Sequence, residues 1–442
     1  MCSAPVLDVE PSANIPTETA TVTADNPPET SQRRVILAGL IGNVMEWYDF
    51  AVYGYLATVI GRLFFPDGNP AVSVIAAFGA FAAGFLVRPL GGLVFGRIGD
   101  LIGRRHALTL SVLAMAVPTV LMGLLPTYAT IGMAAPILIV LLRIVQGLSV
   151  GGEYTSSLIF LAEHSRKNRR SQTAVWGMWG ATAGCLLGSG VAALVSNLLS
   201  DSQLIAWGWR IPFLVGALVA ITGFLLRRGI HAEAPACASK RPVRDTFGKH
   251  RLSVLKVALL NLSNGVSYYT AFVYSVTYMK SVDKFSEGVA LNLNTASMVV
   301  LLAVLPITAW ISDRIGRRPL MIAGNLILTF GAVGLFHLMH SSDRMTIFLG
   351  EIGFVLAVGL IAGGVVAANV ELMPATIRCT GLAFAYNASI GLFGGTTPLI
   401  AALLISMTGN PISPAWWVTG TGAISLVTVL FFVRETGHEP LS

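Results

Sequence analysis

Charge is what this chain has least of. Of its 442 residues only 12% are Asp, Glu, Lys or Arg, against 54% that are apolar, roughly half the charged share of an ordinary soluble domain. Such a chain cannot cover itself with polar surface, so a soluble globular fold is excluded and a polytopic membrane protein is expected. Cysteine is equally sparse. Cys2, Cys185, Cys237 and Cys379 stand far apart with no redox or metal-ligand spacing, so neither a disulfide framework nor a metal centre is expected. A phosphate-cradling Gly-Lys-Ser/Thr motif is also missing. ATP is therefore not the energy source within this polypeptide, and no cofactor is expected.

The formal charge of +7 raises nucleic acid as a partner, but the basic residues sit in short loops between apolar runs instead of forming one face. Orientation in a bilayer explains them better. Counting alternate loops, about 21 Lys and Arg lie on the side that holds both termini and about five on the other, so both termini are expected in the cytoplasm. The expected partners are a lipid bilayer, a small-molecule substrate and protons, with no nucleic acid and a monomeric chain.

Residues 1–32 are rich in Pro, Thr, Glu and Ser and read as a disordered cytoplasmic tail with no secretory signal. About twelve hydrophobic spans follow, each near the twenty residues that cross the hydrocarbon. The longest interior connection, 229–251, is basic and divides them into six helices (33–228) and six (252–436), with a short tail at 437–442. Gly and Pro recur inside the spans, as at Pro118, Gly188, Pro306, Gly363 and Gly394, where small residues permit close helix approach.

The two halves echo each other. The block Gly96-Arg97-Ile98-Gly99-Asp100-Leu101-Ile102-Gly103-Arg104-Arg105 returns as Ser312-Asp313-Arg314-Ile315-Gly316-Arg317-Arg318, each a basic turn between apolar runs. A second echo pairs Glu163 and Arg170, after the fourth span, with Glu371 and Arg378, after the tenth. Two repeated elements imply two similar bundles that move against one another around a site between them.

The informative residues are ionisable groups inside apolar spans: Glu46, Asp49, Arg88, Arg143 and Glu153. Each costs roughly 2.5 to 3.5 kcal/mol if it faces lipid, so each should face protein or water. Glu46, Asp49 and Tyr53 fall on one helix face. Two carboxylates in a poorly hydrated site cannot both ionise easily, which suits a proton carrier, so Glu46, Asp49 and Glu153 are the proton-coupling candidates. Arg88 and Arg143 can hold these acids or present a fork to an anionic ligand, and exchange between the two partners would couple proton to substrate. In the second half, Asn261, Asn264, Ser267, Tyr268, Tyr269 and Tyr274 form an uncharged polar and aromatic stretch. With Tyr53, Arg88 and Arg143, the residues Asn261, Asn264 and Tyr268 are the substrate-binding candidates.

The turn blocks resemble the loop signature of the major facilitator superfamily. Gly42-Asn43-Val44-Met45-Glu46-Trp47-Tyr48-Asp49-Phe50, Arg88-Pro89-Leu90-Gly91-Gly92, Ser149-Val150-Gly151-Gly152-Glu153-Tyr154 and Trp207-Gly208-Trp209-Arg210-Ile211-Pro212-Phe213 are similar to its metabolite:proton symporter branch. The resemblance implies an all-α membrane protein of twelve transmembrane helices in two six-helix bundles, in a bacterial inner membrane, carrying out symport and not catalysis. It also implies that Asp100 gates access by contacting the other half. The gating set expected from the two echoes is Gly96, Asp100, Gly103, Arg104, Arg105, Asp313, Arg317, Glu163, Arg170, Glu371 and Arg378. Ala309 replaces the leading glycine in the second block, a departure from the signature.

For the substrate, the first half looks like proline/betaine and 2-oxoglutarate carriers. Glu371-Leu372-Met373-Pro374, Phe393-Gly394-Gly395-Thr396-Thr397-Pro398 and Ser413-Pro414-Ala415-Trp416-Trp417 look like citrate and tricarballylate carriers. Two intramembrane arginines suit a ligand with several carboxylates, so uptake of a di- or tricarboxylate such as citrate or 2-oxoglutarate is the leading expectation. No long coiled-coil tail of the osmosensing type follows Arg434, which points the same way. Uptake of a zwitterionic osmolyte such as proline or glycine betaine is the alternative. A drug exporter and a non-transporting receptor rank below both.

Overall fold

A computed structural model describes residues 29–91, 104–166, 168–227 and 242–437, together with 439 and 441. Twelve helical spans run in chain order: α1 (29–64), α2 (Pro70–Gly91), α3 (Arg104–Leu124), α4 (Ala134–Glu163), α5 (Arg170–Leu198), α6 (Arg210–Arg227), α7 (251–281), α8 (Glu287–Ile315), α9 (Arg317–Met339), α10 (Arg344–Glu371), α11 (Ala375–Thr408) and α12 (Pro414–Phe432). Residues 29–32, expected in the tail, are helical. Pro242–Gly248 forms a short helix inside the expected linker, and its Phe247 ring stands 4.7 Å from Phe384 of α11.

Local chemistry sets the helix ends. Asn69 Oδ1 accepts from Ala71 N at 3.0 Å ahead of Pro70, and Asp343 Oδ2 accepts from Thr346 N at 2.9 Å at the start of α10, each satisfying a donor the first turn leaves open. Gly409, at φ 67°, closes α11 in the left-handed conformation that glycine adopts without strain.

Among the described residues, eight of the twelve spans are long and apolar enough by themselves to cross a membrane. Two that fall short, α1 and α7, carry buried polar groups at mid-length: Asn43, Glu46 and Asp49 on one, Asn261, Ser263, Asn264 and Ser267 on the other. Their polar faces need a polar partner inside the protein. The outward faces instead present Leu124, Met133, Leu198, Leu218, Phe330, Met407 and Phe431, an apolar exterior that only lipid tails can cover without penalty.

Within the first half α1 packs on α5 and α2 on α4, while α7 packs on α12 and α8 on α10 in the second. The halves meet along two seams, α5 against α8 and α2 against α11. Glycine permits both kinds of contact. A Cβ at Gly147 would run into the Gly84 carbonyl between α4 and α2, and one at Gly391 would stand 2.7 Å from the Phe85 carbonyl oxygen across the second seam.

Candidate functional site

Where both halves meet there is a small cavity. Trp47 (α1), Tyr154 (α4) and Met178 and Ala181 (α5) line it from the first half, and Asn264, Gly265, Tyr268 and Tyr269 (α7) with Tyr386 and Ile390 (α11) line it from the second. Five rings therefore surround one space. Trp47 lies 5.8 Å from Tyr154, 6.2 Å from Tyr268 and 6.5 Å from Tyr269, while Tyr154 stacks on Tyr386 at 4.8 Å across the two halves.

The backbone of α7 and α11 helps to form this space. A π-helical turn follows Tyr269 at Thr270–Tyr274, and another stands at Ile390–Gly394, the kind of bulge that re-aims side chains at functional sites. The Tyr268 and Tyr269 hydroxyls, Asn264 Oδ1 and Trp47 Nε1 are buried with no hydrogen-bond partner. Polar atoms so placed are available to a ligand.

Arg88, 1% exposed, reaches from α2 with its guanidinium carbon 5.7 Å from the Trp47 ring centre and 4.1 Å from those of Phe50 and Phe85. Its Nε and Nη2 have no partner. Glu46, 1% exposed, interacts electrostatically with Tyr154, Tyr269 and Tyr386 around the cavity. Thus Asn264 and Tyr268 line the space directly, and Arg88 and Glu46 border it.

The remaining first-half charges form a separate cluster. Arg143 is fully buried and lies 4.3 Å from the Tyr53 ring centre, 4.9 Å from Phe50 and 5.1 Å from Phe81. Its Nη1 donates to Gln146 Oε1 at 2.9 Å, and Gln146 Nε2 donates to Thr119 Oγ1 at 2.7 Å. Asp49 sits beside Thr119 and Arg143 with Oδ1 unpartnered. Arg143 is therefore held in an aromatic nest next to Asp49, outside the cavity lining. Tyr53 donates its hydroxyl to Ala77 O at 3.1 Å. Asn261 exchanges hydrogen bonds with Asn369 of α10 at 2.7 and 3.2 Å, so it ties two helices together and does not reach the cavity. The backbone of Glu153 starts the second part of α4, and its side chain lies outside the description.

Ionic contacts join the halves on either side of the cavity. On the basic side the two Glu/Arg echoes pair crosswise: Arg170 with Glu371 at 3.2 Å and Arg378 with Glu163 at 2.7 Å. Each bridge joins one half to the other. Arg317 forks onto Glu371 (Nη2 to Oε1 3.0 Å, Nε to Oε2 3.3 Å) and reaches Asp313 at 2.8 Å. Asp313 accepts from Ser171 N at 3.0 Å and Gln172 N at 2.9 Å, capping the N-terminus of α5 in the opposite half. Gly96, Asp100 and Gly103 lie outside the described residues, as do the side chains of Arg104 and Arg105.

Sequence reasoning missed Glu435. Its carboxylate accepts from Arg317 N at 2.8 Å and Arg318 N at 3.0 Å, and the neighbouring Thr436 Oγ1 donates to Glu371 Oε2 at 2.6 Å. Burial pushes the Glu435 carboxyl up, but backbone N–H groups of Arg317, Gly437, Arg318 and Thr436 outweigh it and hold the group below the usual glutamate range. At the other end, Lys280 pairs with Glu287, and Thr58 of α1 bonds both, at 2.9 Å from Lys280 Nζ and 3.1 Å to Glu287 Oε2. Asn294 Nδ2 donates to Ser189 Oγ at 3.0 Å along the α5–α8 seam. No sequence repeat flags these residues, and Tyr386 and Met178 were equally unmarked because each stands alone in an apolar run.

The family model described as Major Facilitator Superfamily matches residues 39–385. The glycine betaine/proline/ectoine/pipecolic acid transporter of Dickeya dadantii is 36% identical over 92% of this chain and 84% of its own length. The proline/betaine transporter of Salmonella typhimurium is 36% identical over 92% and 85% respectively. Among solved structures, a D-xylose-proton symporter superposes with a TM-score of 0.74 over 92% of this chain and 99% of its own at 20% identity. The xylose transporter of Escherichia coli in a partially occluded inward-open conformation gives 0.73 over 93% and 100% at 19% identity. The structural likeness carries the fold, and the family match together with the curated relatives carries membership: the chain belongs to the major facilitator superfamily and is a multi-pass membrane transporter, not an enzyme.

Proposed function

We propose that the protein takes up a small zwitterion of the proline or glycine betaine kind together with protons, across a bacterial inner membrane, with both termini cytoplasmic. The observation that carries this reading is the ring of five aromatic side chains around a cavity bordered by one arginine. A quaternary ammonium has no N–H to donate, so it is recognised by the negative faces of aromatic rings, at about 0.5 to 2 kcal/mol each way of presenting one. A single carboxylate on the same ligand then meets the open Nε and Nη2 of Arg88. Citrate or 2-oxoglutarate would need more than one cation at the cavity. Arg143, the second arginine invoked for such a ligand, gives Nη1 to Gln146, lies among Phe50, Tyr53 and Phe81 and has Asp49 beside it, with Nε and Nη2 unpartnered as in Arg88. The relatives named as proline/betaine transporters likewise support the osmolyte over the carboxylate.

In this reading Glu46 and Asp49 carry the proton. A proton on Glu46 removes the competing anion near Arg88 and lets the substrate carboxylate take its place. Loss of that proton to the cytoplasm restores the competition and releases the substrate. The crossed Arg170–Glu371 and Arg378–Glu163 bridges must part for release, and the Lys280–Glu287–Thr58 cluster must part for loading.

Proteoliposomes given labelled glycine betaine, proline, citrate and 2-oxoglutarate under an imposed proton gradient test the proposal. Accumulation of betaine or proline that a protonophore abolishes is the expected result. Accumulation of citrate or 2-oxoglutarate instead returns the site to the carboxylate reading, and accumulation that ignores the protonophore removes proton coupling.

A further inference from the structure

One buried acid has no part in the cavity or the gates. Glu351 lies on α10 seven residues from its outer end and is 0% exposed. Among the described residues it forms no ion pair, and neither carboxyl oxygen has a hydrogen-bond partner. Its polar neighbours are Ser275 of α7 and Ser297 of α8. Both hydroxyls already donate elsewhere, Ser275 Oγ to Ala271 O at 2.7 Å and Ser297 Oγ to Asn294 O at 2.9 Å. What they turn toward Glu351 is therefore lone pairs. A bare carboxylate only accepts, and both neighbouring hydroxyls are already given to backbone carbonyls. A carboxyl bearing a proton has one O–H to give, and each serine oxygen can take it.

We infer that Glu351 is a proton-binding site separate from the Glu46–Asp49 pair, and that its proton fastens the outer part of α7 to α8 and α10. Ser275 follows directly on the π-helical turn Thr270–Tyr274, whose other end adjoins the cavity residues Tyr268 and Tyr269. Lys280, five residues further along α7, holds the outer closure with Glu287 and Thr58. A proton entering from the outer water bonds to a Glu351 oxygen and is shared with a serine oxygen. When it leaves, the carboxylate has to recruit water, and the outer part of α7 loosens.

The other titratable groups of this region are accounted for. Tyr278, three residues beyond Ser275 on α7, has a buried, unpartnered hydroxyl and packs on Phe336 of α9, which packs on Phe354 of α10. From α9 come His337 and His340, both at the surface, with His340 paired to Asp283 at 2.7 Å. From α8 come Asn294 and Ser297, and its Glu287 is engaged with Lys280. None of these charges bonds to Glu351.

The test is infrared difference spectroscopy on the full-length protein in lipid, titrated with pH, beside counterflow exchange with equal pH on both faces. A protonated-carboxyl C=O band that fades at alkaline pH and is missing from Glu351→Gln, yet persists in Glu46→Gln and Asp49→Asn, is expected. Wild-type counterflow should fall several-fold over the same pH range, while Glu351→Gln, which keeps a donor in place of the O–H, stays flat. Glu351→Asp should keep a titrating band at a shifted position. A band and a pH profile left unchanged by Glu351→Gln would overturn the inference, and coupling through Glu46 and Asp49 would stand regardless.

Discussion

At mid-membrane depth the first six helices enclose charge and the last six enclose amides, hydroxyls and rings. Glu46, Asp49, Arg88 and Arg143 are all buried in the first half, against Asn261, Asn264, Ser267, Tyr268, Tyr269 and Asn387, with the one acid Glu351, in the second. The difference teaches how work is divided between bundles of the same architecture. Charges that change partner respond to a proton gradient, so under the proposed mechanism the first half supplies the energetic coupling. Neutral groups shape a ligand site at much smaller desolvation cost, so the second half contributes most of the lining. The substrate cavity draws on both, as do the ionic contacts at either end.

The asymmetry breaks most visibly if the acids are removed. Asp49→Asn and Glu46→Gln should each reduce proton-driven accumulation from the roughly fifty-fold that 100 mV supports to no gradient at all, while counterflow persists. Coupled accumulation by either variant would place the energetic step elsewhere. Arg88→Lys comes next. It keeps the charge but loses the planar fork stacked on Trp47, Phe50 and Phe85, and should raise the substrate KM about tenfold, close to 1.4 kcal/mol. Tyr386→Ala should weaken betaine binding about three- to tenfold with Tyr386→Phe near wild type, since the ring face and not the hydroxyl is used. Binding titrations on both variants check this.

The smallest effect concerns the end of the molecule that carries the crossed bridges. Because the Glu435 carboxyl is held below the usual glutamate range, its contribution is complete at neutral pH. That contribution is lost only as pH falls through the depressed value. Lowering the pH on both faces from about 7.5 to about 5.5 should therefore leave spin-label distances across the helix ends around Glu435 unchanged. Glu435→Gln should lengthen them by freeing the Arg317 and Arg318 amides.

Much of this was legible in the chain. Charge scarcity and span length indicated twelve helices, and the repeated turn indicated two halves, because both are one-dimensional patterns. The Glu163/Arg170 and Glu371/Arg378 echoes marked residues that form ion pairs, but spacing alone left open that each arginine pairs with the other half's glutamate. The cavity was harder. Asn264, Tyr268 and Arg88 stood out as polar residues in apolar runs, whereas Met178, Ala181, Ile390 and Tyr386 look like any packing residue until five helices converge. Asn261 shows the converse: a polar group deep in a helix can be satisfied by a neighbour, Asn369, without reaching the site. The carboxylate expectation rested on counting both arginines, whereas two relatives 36% identical to this chain are named as transporters of proline and betaine.

The most direct test of the account is the pH of a lightly buffered external medium when substrate is added to de-energised proteoliposomes. Glycine betaine should drive an alkaline shift that a protonophore abolishes and Asp49→Asn eliminates, with no shift from citrate. A shift with citrate alone, or betaine entry with no proton movement, would contradict it.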